Sequence, residues 1–295
     1  MTRFIRNFLS TSSLLFNSNK RCISTTTKVC TFFERSEKGG YESNRPLPPF
    51  KERMRMGLAE LKKEVALWSE ELKEKFKDDP ILLYRRGEVD VVYKFQNEDS
   101  LNKWIVTSDK DHNEGFSSSS LELTNHGKAL FSGELVLRVP KDGRVKRAGY
   151  CNIKTVKPRK SFKRETYLDW SNYNMLVMKV RGDGRTYLLN VHTKGYFDVT
   201  WNDMFNYPLF TRGGPYWQIV KIPFSKFFLS SKGRIQDNQG WIPLDKVSSF
   251  GITAVERYAG EFSLEIDYIG LEYDPSHTEE FAYEMYKLPS GIANT

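Results

Sequence analysis

The side chains that look most like a metal-ligand set lie in Asp109-Lys110-Asp111-His112-Asn113-Glu114-Gly115. Alternating carboxylate and amide oxygens can gather around Ca²⁺, which takes roughly six to eight oxygen ligands. The stretch begins like an EF-hand loop. Its glycine falls one place late, its twelfth position is Ser120 rather than Glu, and no helix is expected on either side. These departures favour a solvated loop over an ion site.

Charge is the second chemical feature. Lys141, Arg144, Lys146, Arg147, Lys154, Lys157, Arg159, Lys160, Lys163 and Arg164 follow one another with Asp142 as the sole acid among them. Lys157-Pro158-Arg159-Lys160-Ser161-Phe162-Lys163-Arg164 is too charged for a buried strand and predicts an exposed loop with a positive field. Acidic protein or anionic phospholipid would suit it, each cation adding about 1 kcal/mol near such a membrane. The competing reading is an exposed loop that binds nothing. RNA is disfavoured, because Tyr150 and Phe162 are too few aromatics for a stacking platform.

Aromatics are the third. Gly195 to Trp217 contains Tyr196, Phe197, Trp201, Phe205, Tyr207, Phe210, Tyr216 and Trp217. As a connection between strands this is long, and long loops are usually functional or disordered. So many rings argue against disorder. Some must enter the core, and the rest would form a protein contact, where Trp and Tyr dominate, or a sugar-stacking platform. The contact surface expected from these two features comprises Lys146, Arg147, Lys157, Arg159, Lys160, Lys163, Arg164, Trp201, Phe205, Tyr207 and Phe210, with Arg185 added from the turn described next.

Gly182-Asp183-Gly184-Arg185 places a charged pair on a glycine-rich turn, but backbone geometry accounts for it. Asp183-Gly184 suits the centre of a type I′ turn, where both residues need φ > 0. With that loop, Val180 faces Tyr187, Met178 faces Leu189 and Leu176 faces Val191, all apolar and on one face. A one-residue slip would put each apolar row on the wrong face. The expectation is a β-hairpin from Leu176 to Val191, with Arg185 free to bond a neighbouring loop or a partner. No GxSxG, HExxH or P-loop is present, and His112, His126, His192 and His277 lack ligand spacing. Nothing in the sequence names a catalytic residue, cofactor or metal.

The elements that must carry these residues are mostly strands. From Glu88 the apolar period is 2: Val89, Val91, Tyr93 and Phe95 alternate with polar residues. Further strands are expected over Leu101–Val106, Ser119–Leu123, Lys128–Val139, Gly149–Val156, Trp217–Ile222, Ser249–Val255 and Phe262–Tyr273. Short strands separated by turn signals, with few helices, predict an antiparallel β-sandwich over residues 88–275. Before it, Met54, Leu58, Leu61, Val65, Trp68 and Leu72 form a stripe at helical spacing, predicting an amphipathic helix over residues 51–79. That helix either lies on its own domain or docks on a partner. After it, Ser276-His277-Thr278-Glu279 fits a capping box, predicting a short helix and tail over residues 276–295.

The amino terminus reads as an address. The chain carries 45 Lys and Arg against 37 Asp and Glu, a formal charge of +8 over 295 residues. Arg3, Arg6, Lys20 and Arg21 supply four of those charges, and the first acid is Glu34. The remaining +4 is no argument for nucleic acid. Phe4, Ile5, Phe8 and Leu9 recur at helical spacing beside Arg3 and Arg6, as in a mitochondrial transit peptide. Arg21-Cys22-Ile23-Ser24 places cleavage after Ile23, leaving residues 24–50 as a Gly/Pro-broken linker. Cys22, Cys30 and Cys151 form no disulfide framework, and no apolar run approaches the ~18–20 residues of a membrane span.

Several of these residues are familiar together. Phe95…Leu101…Trp104, Phe131-Ser132-Gly133, Gly182-Asp183-Gly184-Arg185-Thr186-Tyr187, Trp217…Val220…Ile222-Pro223-Phe224, Phe250-Gly251-Ile252 and Gly260-Glu261-Phe262-Ser263-Leu264 occur in this order and spacing. In them the chain resembles the mitochondrial complex I intermediate-associated protein 30 family over residues 88–275. The resemblance implies a galactose-binding-like β-sandwich related to carbohydrate-binding modules. It implies a non-catalytic assembly factor for respiratory complex I in the matrix, peripheral to the inner membrane. Implied partners are complex I assembly intermediates and other assembly factors: acyl-CoA-dehydrogenase-like, signalling-adaptor-like and membrane-embedded. It supplies no catalytic residues. The alternatives are a carbohydrate- or small-ligand-binding module, which the aromatic stretch would serve, and an enzyme, for which motifs are lacking.

Overall fold

A computed structural model describes residues 49–76, 87–141, 143, 145–194, 203–231 and 233–286. The chain divides into two units, Met1–Phe76 and Lys77–Thr295. In the first, α1 runs over Phe50–Lys75, with Lys73 and Lys75 in its last turn, where cations suit the carbonyl end of the helix. The expected stripe is present: Met54, Leu58, Leu61, Val65 and Trp68 are exposed. The helix ends four residues before the expected limit; residues 77–86 lie outside the described residues.

The second unit is the expected antiparallel sandwich. Its strands are β1 (Val89–Lys94), β2 (Trp104–Ser108), β3 (Ser118–Leu123), β4 (Ala129–Leu135), β5 (Cys151–Thr155), β6 (Arg159–Lys160), β7 (Arg164–Glu165), β8 (Met175–Gly182), β9 (Thr186–Thr193), β10 (Asp203–Phe210), β11 (Gln218–Pro223), β12 (Phe228–Ser231), β13 (Arg234–Ile235), β14 (Val247–Ala254) and β15 (Gly260–Glu272). Among the described residues, a six-stranded sheet has the order β11-β8-β15-β4-β3, with β1 also paired to β15. A seven-stranded sheet has the order β13-β12-β10-β9-β14-β5-β2. The core lies between them. Leu176, Met178, Val180, Leu264 and Ile266 come from one sheet, and Tyr187, Leu189, Val191, Phe250 and Ile252 from the other; all are fully buried.

The strand β15 organises the smaller sheet. One edge carries β8. The other carries β4 along residues 260–266 and β1 along residues 268–272, so two short strands lie end to end beside one long one. Its inward residues are Phe262, Leu264 and Ile266, then Ile269 and Leu271. The step of three falls at a register shift between Ile266 and Tyr268. A bulge there leaves Asp267 unpaired and re-aims its side chain.

The expected hairpin is not formed. Strands β8 and β9 belong to different sheets: β8 pairs with β11 and β15, β9 with β10 and β14. Gly184 has φ 93°, but Asp183 is not among the positive-φ residues, so the turn is not type I′. Residues 183–185 form a corner that carries the chain from one sheet to the other. The two apolar rows do face the core, from opposite sides of it.

Two other expectations need revision. Residues 203–210, read as part of a long loop, are β10. Pro208 hid this strand, because proline lacks the ladder N–H. Pairing with β12 stops at Asn206, so Pro208 lies beyond that ladder and opposes only Leu188 of β9. At the carboxyl end, the capping box does not start an α-helix. Asp274 caps Ser276 through its backbone N–H at 2.9 Å and its hydroxyl at 2.6 Å, while Glu279 accepts a bond from Ser225 Oγ at 3.0 Å. Among the described residues after it, the one helical element is a 3₁₀ turn, Glu284–Tyr286.

Candidate functional site

The Gly182–Arg185 corner is a dense polar knot. Asp183 accepts bonds from Arg185 N at 3.0 Å, Ser263 N at 2.8 Å and the buried Tyr187 hydroxyl at 3.2 and 3.3 Å. Burial first, and then the Asp183 charge, push the Tyr187 phenol well above its ordinary value. Thr211 Oγ1 donates to Arg185 O at 2.7 Å and accepts from Gly184 N at 3.1 Å. Arg185 is not free: it donates to Glu256 at 3.3 Å and to the Tyr258 carbonyl at 3.0 Å. Glu256 also accepts from Thr186 N at 2.6 Å. A Cβ on Gly182 would stand 2.4 Å from Thr211 Cβ, so glycine is required there by close approach.

Asp109 is likewise structural, not solvated. It is fully buried. Its carboxylate accepts from Ser117 N at 2.8 Å, Ser117 Oγ at 3.0 Å and Gly149 N at 2.8 Å. A Cβ on Gly115 would fall 2.1 Å from Asp109 Oδ2, which explains the glycine. Nearby Cys151 is a buried free thiol, pushed up to about 11 chiefly by burial.

The basic stretch is exposed as expected. Lys146, Arg147, Lys157, Arg159, Lys160, Lys163 and Arg164 are all on the surface. The last four belong to a β6–β7 hairpin, in which Arg159 pairs with Glu165 and Lys160 with Arg164. Its tip is Phe162-Lys163, both at φ 57°, in a turn closed by Arg164 N donating to Ser161 O. Positive φ is costly for a bulky residue. Arg164 braces the turn, its Nε donating to Ser161 O at 3.1 Å and its Nη2 to Ser161 Oγ at 2.8 Å.

The aromatic stretch is divided. Phe205 is a core residue of β10, not a surface one, because it alternates with outward Met204 and Asn206. Tyr207 is half-buried, its ring 5.4 Å from Phe227. Phe210 is 69% exposed at the end of β10. Trp201 lies outside the described residues. Trp217 packs under two cations, 5.1 Å from Arg181 and 5.7 Å from Lys179.

Those cations belong to an outer face of the six-stranded sheet that is neutralised internally. Arg181 meets Glu265 directly across β8 and β15, at 2.6 Å to each carboxylate oxygen. Asp267 pairs with Lys128 and, at 2.8 Å, with Lys179. Burial works to raise the Asp267 carboxyl, but the two ammonium groups overcome it and hold it below the usual carboxylate range.

The seven-stranded sheet has a different outer face. Asn206 Nδ2 donates to Asn190 Oδ1 at 2.6 Å, Asn190 Nδ2 donates to Thr253 Oγ1 at 2.6 Å, and Thr253 meets the Asn152 amide at 3.0 Å. This ladder crosses four strands. Beside it stand Lys154, His192 and Ser249, none of which the sequence reading grouped. The signal available was alternation: each follows or precedes a core residue (Ile153, Val191, Phe250) and so points outward.

A two-sheet antiparallel sandwich, cornered by a Gly-Asp-Gly-Arg turn, defines a recognisable class. The family described as Complex I intermediate-associated protein 30 (CIA30) matches residues 93–266. Complex I intermediate-associated protein 30, mitochondrial, of Drosophila melanogaster is 58% identical over 275 residues, covering 92% of this chain and 93% of that protein. The protein of that name from Mus musculus is 49% identical, covering 66% of this chain and 59% of its own length. Among solved structures, the family 11 carbohydrate-binding module of cellulosomal cellulase Lic26A-Cel5E of Clostridium thermocellum is similar at 17% identity and TM-score 0.46, covering 65% of this chain and 98% of the module. The chain belongs to the complex I intermediate-associated protein 30 family, whose relatives here are named as mitochondrial proteins.

Proposed function

We propose that this chain is a non-catalytic assembly factor for respiratory complex I, holding assembly intermediates and other assembly factors together on the matrix side of the inner membrane. The observation that carries the reading is family membership: the family model matches residues 93–266, and a relative 58% identical over 275 residues is named a complex I intermediate-associated protein. In support, Gly182, Asp183, Gly184, Arg185, Tyr187 and Ser263 bind one another and the neighbouring loops, so the fold alone accounts for this polar corner. Residues 1–23 act as the import signal, followed by a linker that leads into the Phe50–Lys75 helix. The basic hairpin supplies the contact: its four cations around a strained turn, with Lys157 just before them, suit an acidic partner or an anionic membrane.

Depleting the protein from mitochondria tests the reading. Native gels are expected to show complex I stalled at an intermediate while the other respiratory complexes persist; normal complex I would defeat it. Reversing Lys157, Arg159 and Lys160 to Glu is expected to weaken co-sedimentation with mitochondrial membranes or partners at an unchanged melting temperature. Saturable sugar binding lost on Trp201→Ala would instead favour the ligand-module reading.

A further inference from the structure

The outer face of the seven-stranded sheet contains polar groups that the fold itself leaves unused. His192 on β9 lies directly opposite Ser249 on β14. Two residues along β14, Gly251 lies opposite Asn190 on one side and Lys154 of β5 on the other. Outward side chains in such positions are direct or diagonal neighbours, with Cβ atoms about 5–8 Å apart. Gly251 has no side chain, and a Cβ there would meet Asn152 Oδ1 at 3.4 Å and Asn190 Nδ2 at 3.7 Å. The result is a recess with Gly251 at its floor and Lys154, His192 and Ser249 around it.

Two of the three groups lack a partner, and the third is held neutral. Ser249 is fully buried and its hydroxyl has no hydrogen-bond partner. Lys154 is half-buried, yet no carboxylate among the described residues pairs with it. The charges it meets are like charges: burial first, and then Lys157, lower its ammonium. His192 is pushed down to about 3 by burial, with Lys154 and Lys157 adding to the effect, so its ring is neutral and donates one N–H. The amides beside them are already satisfied through the Asn206–Asn190–Thr253 ladder and form a fixed wall. A half-buried cation without a counter-charge and a buried hydroxyl without a partner both carry a cost. One oxyanion answers both deficits.

We propose that the recess over Gly251 binds a small oxyanion of the phosphate type, held by the Lys154 ammonium, the Ser249 hydroxyl and the His192 ring N–H. The anion is either free phosphate or the phosphate of a lipid headgroup. This site is independent of the assembly reading, and purified protein tests it without complex I.

The experiment titrates inorganic phosphate into the full chain by calorimetry, against sodium chloride at matched ionic strength. Saturable binding is expected, about tenfold or more weaker in Lys154→Met, since hydrogen bonds to charged groups are the stronger class. Ser249→Ala is expected to bind phosphate several-fold more weakly while melting higher without it, which a merely structural serine would not do. Lys94→Met, exposed on β1 of the other sheet, should match the wild type. Vesicles of phosphatidylcholine with and without phosphatidic acid distinguish the sources. Vesicle binding lost with Lys154→Met assigns a headgroup; phosphate binding alone assigns a free anion. No saturable phosphate binding, or equal binding by the wild type, Lys154→Met and Ser249→Ala, overturns the proposal.

Discussion

Asp109 and Asp183 show what a carboxylate does when its only neighbours are donors. Asp109 gathers two backbone N–H groups and a hydroxyl from segments eight and forty residues away. It thereby fastens the start of β3 and the start of β5 to the end of β2. Asp109→Ala would leave Ser117 N and Gly149 N buried without acceptors, each a penalty of about 1–3 kcal/mol. We expect a loss of about 2–4 kcal/mol in urea unfolding, with a native-like circular dichroism spectrum at low denaturant. The same sequence that reads as half a calcium loop folds into this latch. The oxygens expected to gather an ion lie against N–H groups brought from distant segments. That arrangement is fixed by strand pairing and is not visible in residue spacing.

At the scale of elements, alternation was readable and sheet membership was not. Leu176, Met178 and Val180 alternate inward, as do Tyr187, Leu189 and Val191. A hairpin places those rows side by side on one face; a corner places them opposite each other across the core. Both give the same pattern of apolar residues along the chain. What selects the corner is tertiary: Thr211 fills the space beside Gly182, Ser263 binds Asp183, and Glu256 holds both Thr186 and Arg185. Gly182→Ala therefore sets a methyl group against Thr211. Overpacking of this kind costs about 1–3 kcal/mol, measurable as a lowered urea midpoint with an unchanged slope. A similar limit applies to the surface. The exposure of the basic stretch was legible from composition, since seven of its cations had nowhere to go but outward, but composition predicts only a loop where the chain forms a β-hairpin. The recess was not legible, because Lys154, His192 and Ser249 come from three strands that only the sheet order brings together.

For the molecule as a whole, its neutral buried histidine should set the acid limb of stability. His192 is held near 3 in the fold, against about 6.5 in an unfolded chain. Between these values the unfolded state binds a proton that the folded state does not, so stability is complete above about pH 6.5 and falls as the pH drops toward 3. The slope is at most about 1.4 kcal/mol per pH unit for one proton. Asp267 adds to it lower down. Its carboxyl is depressed by Lys128 and Lys179, so its contribution is present above about pH 4 and lost as the pH falls through the folded value. Urea midpoints measured from pH 8 to 4 in phosphate-free buffer are expected to decline from about pH 6.5 downward, and His192→Gln is expected to flatten the upper part of that decline.

The long strand β15 has a consequence in time. Among the described residues it is the last strand of the sandwich in sequence, yet it holds β1, β4 and β8 together in the six-stranded sheet. A chain delivered from its amino end, whether by a ribosome or through a narrow pore, therefore cannot complete that sheet until residues 260–272 have emerged. Until then β1, β4 and β8 have apolar faces and no common partner. Delivery must outrun misassociation, and a truncation just before Gly260 would leave an aggregating chain rather than a smaller domain.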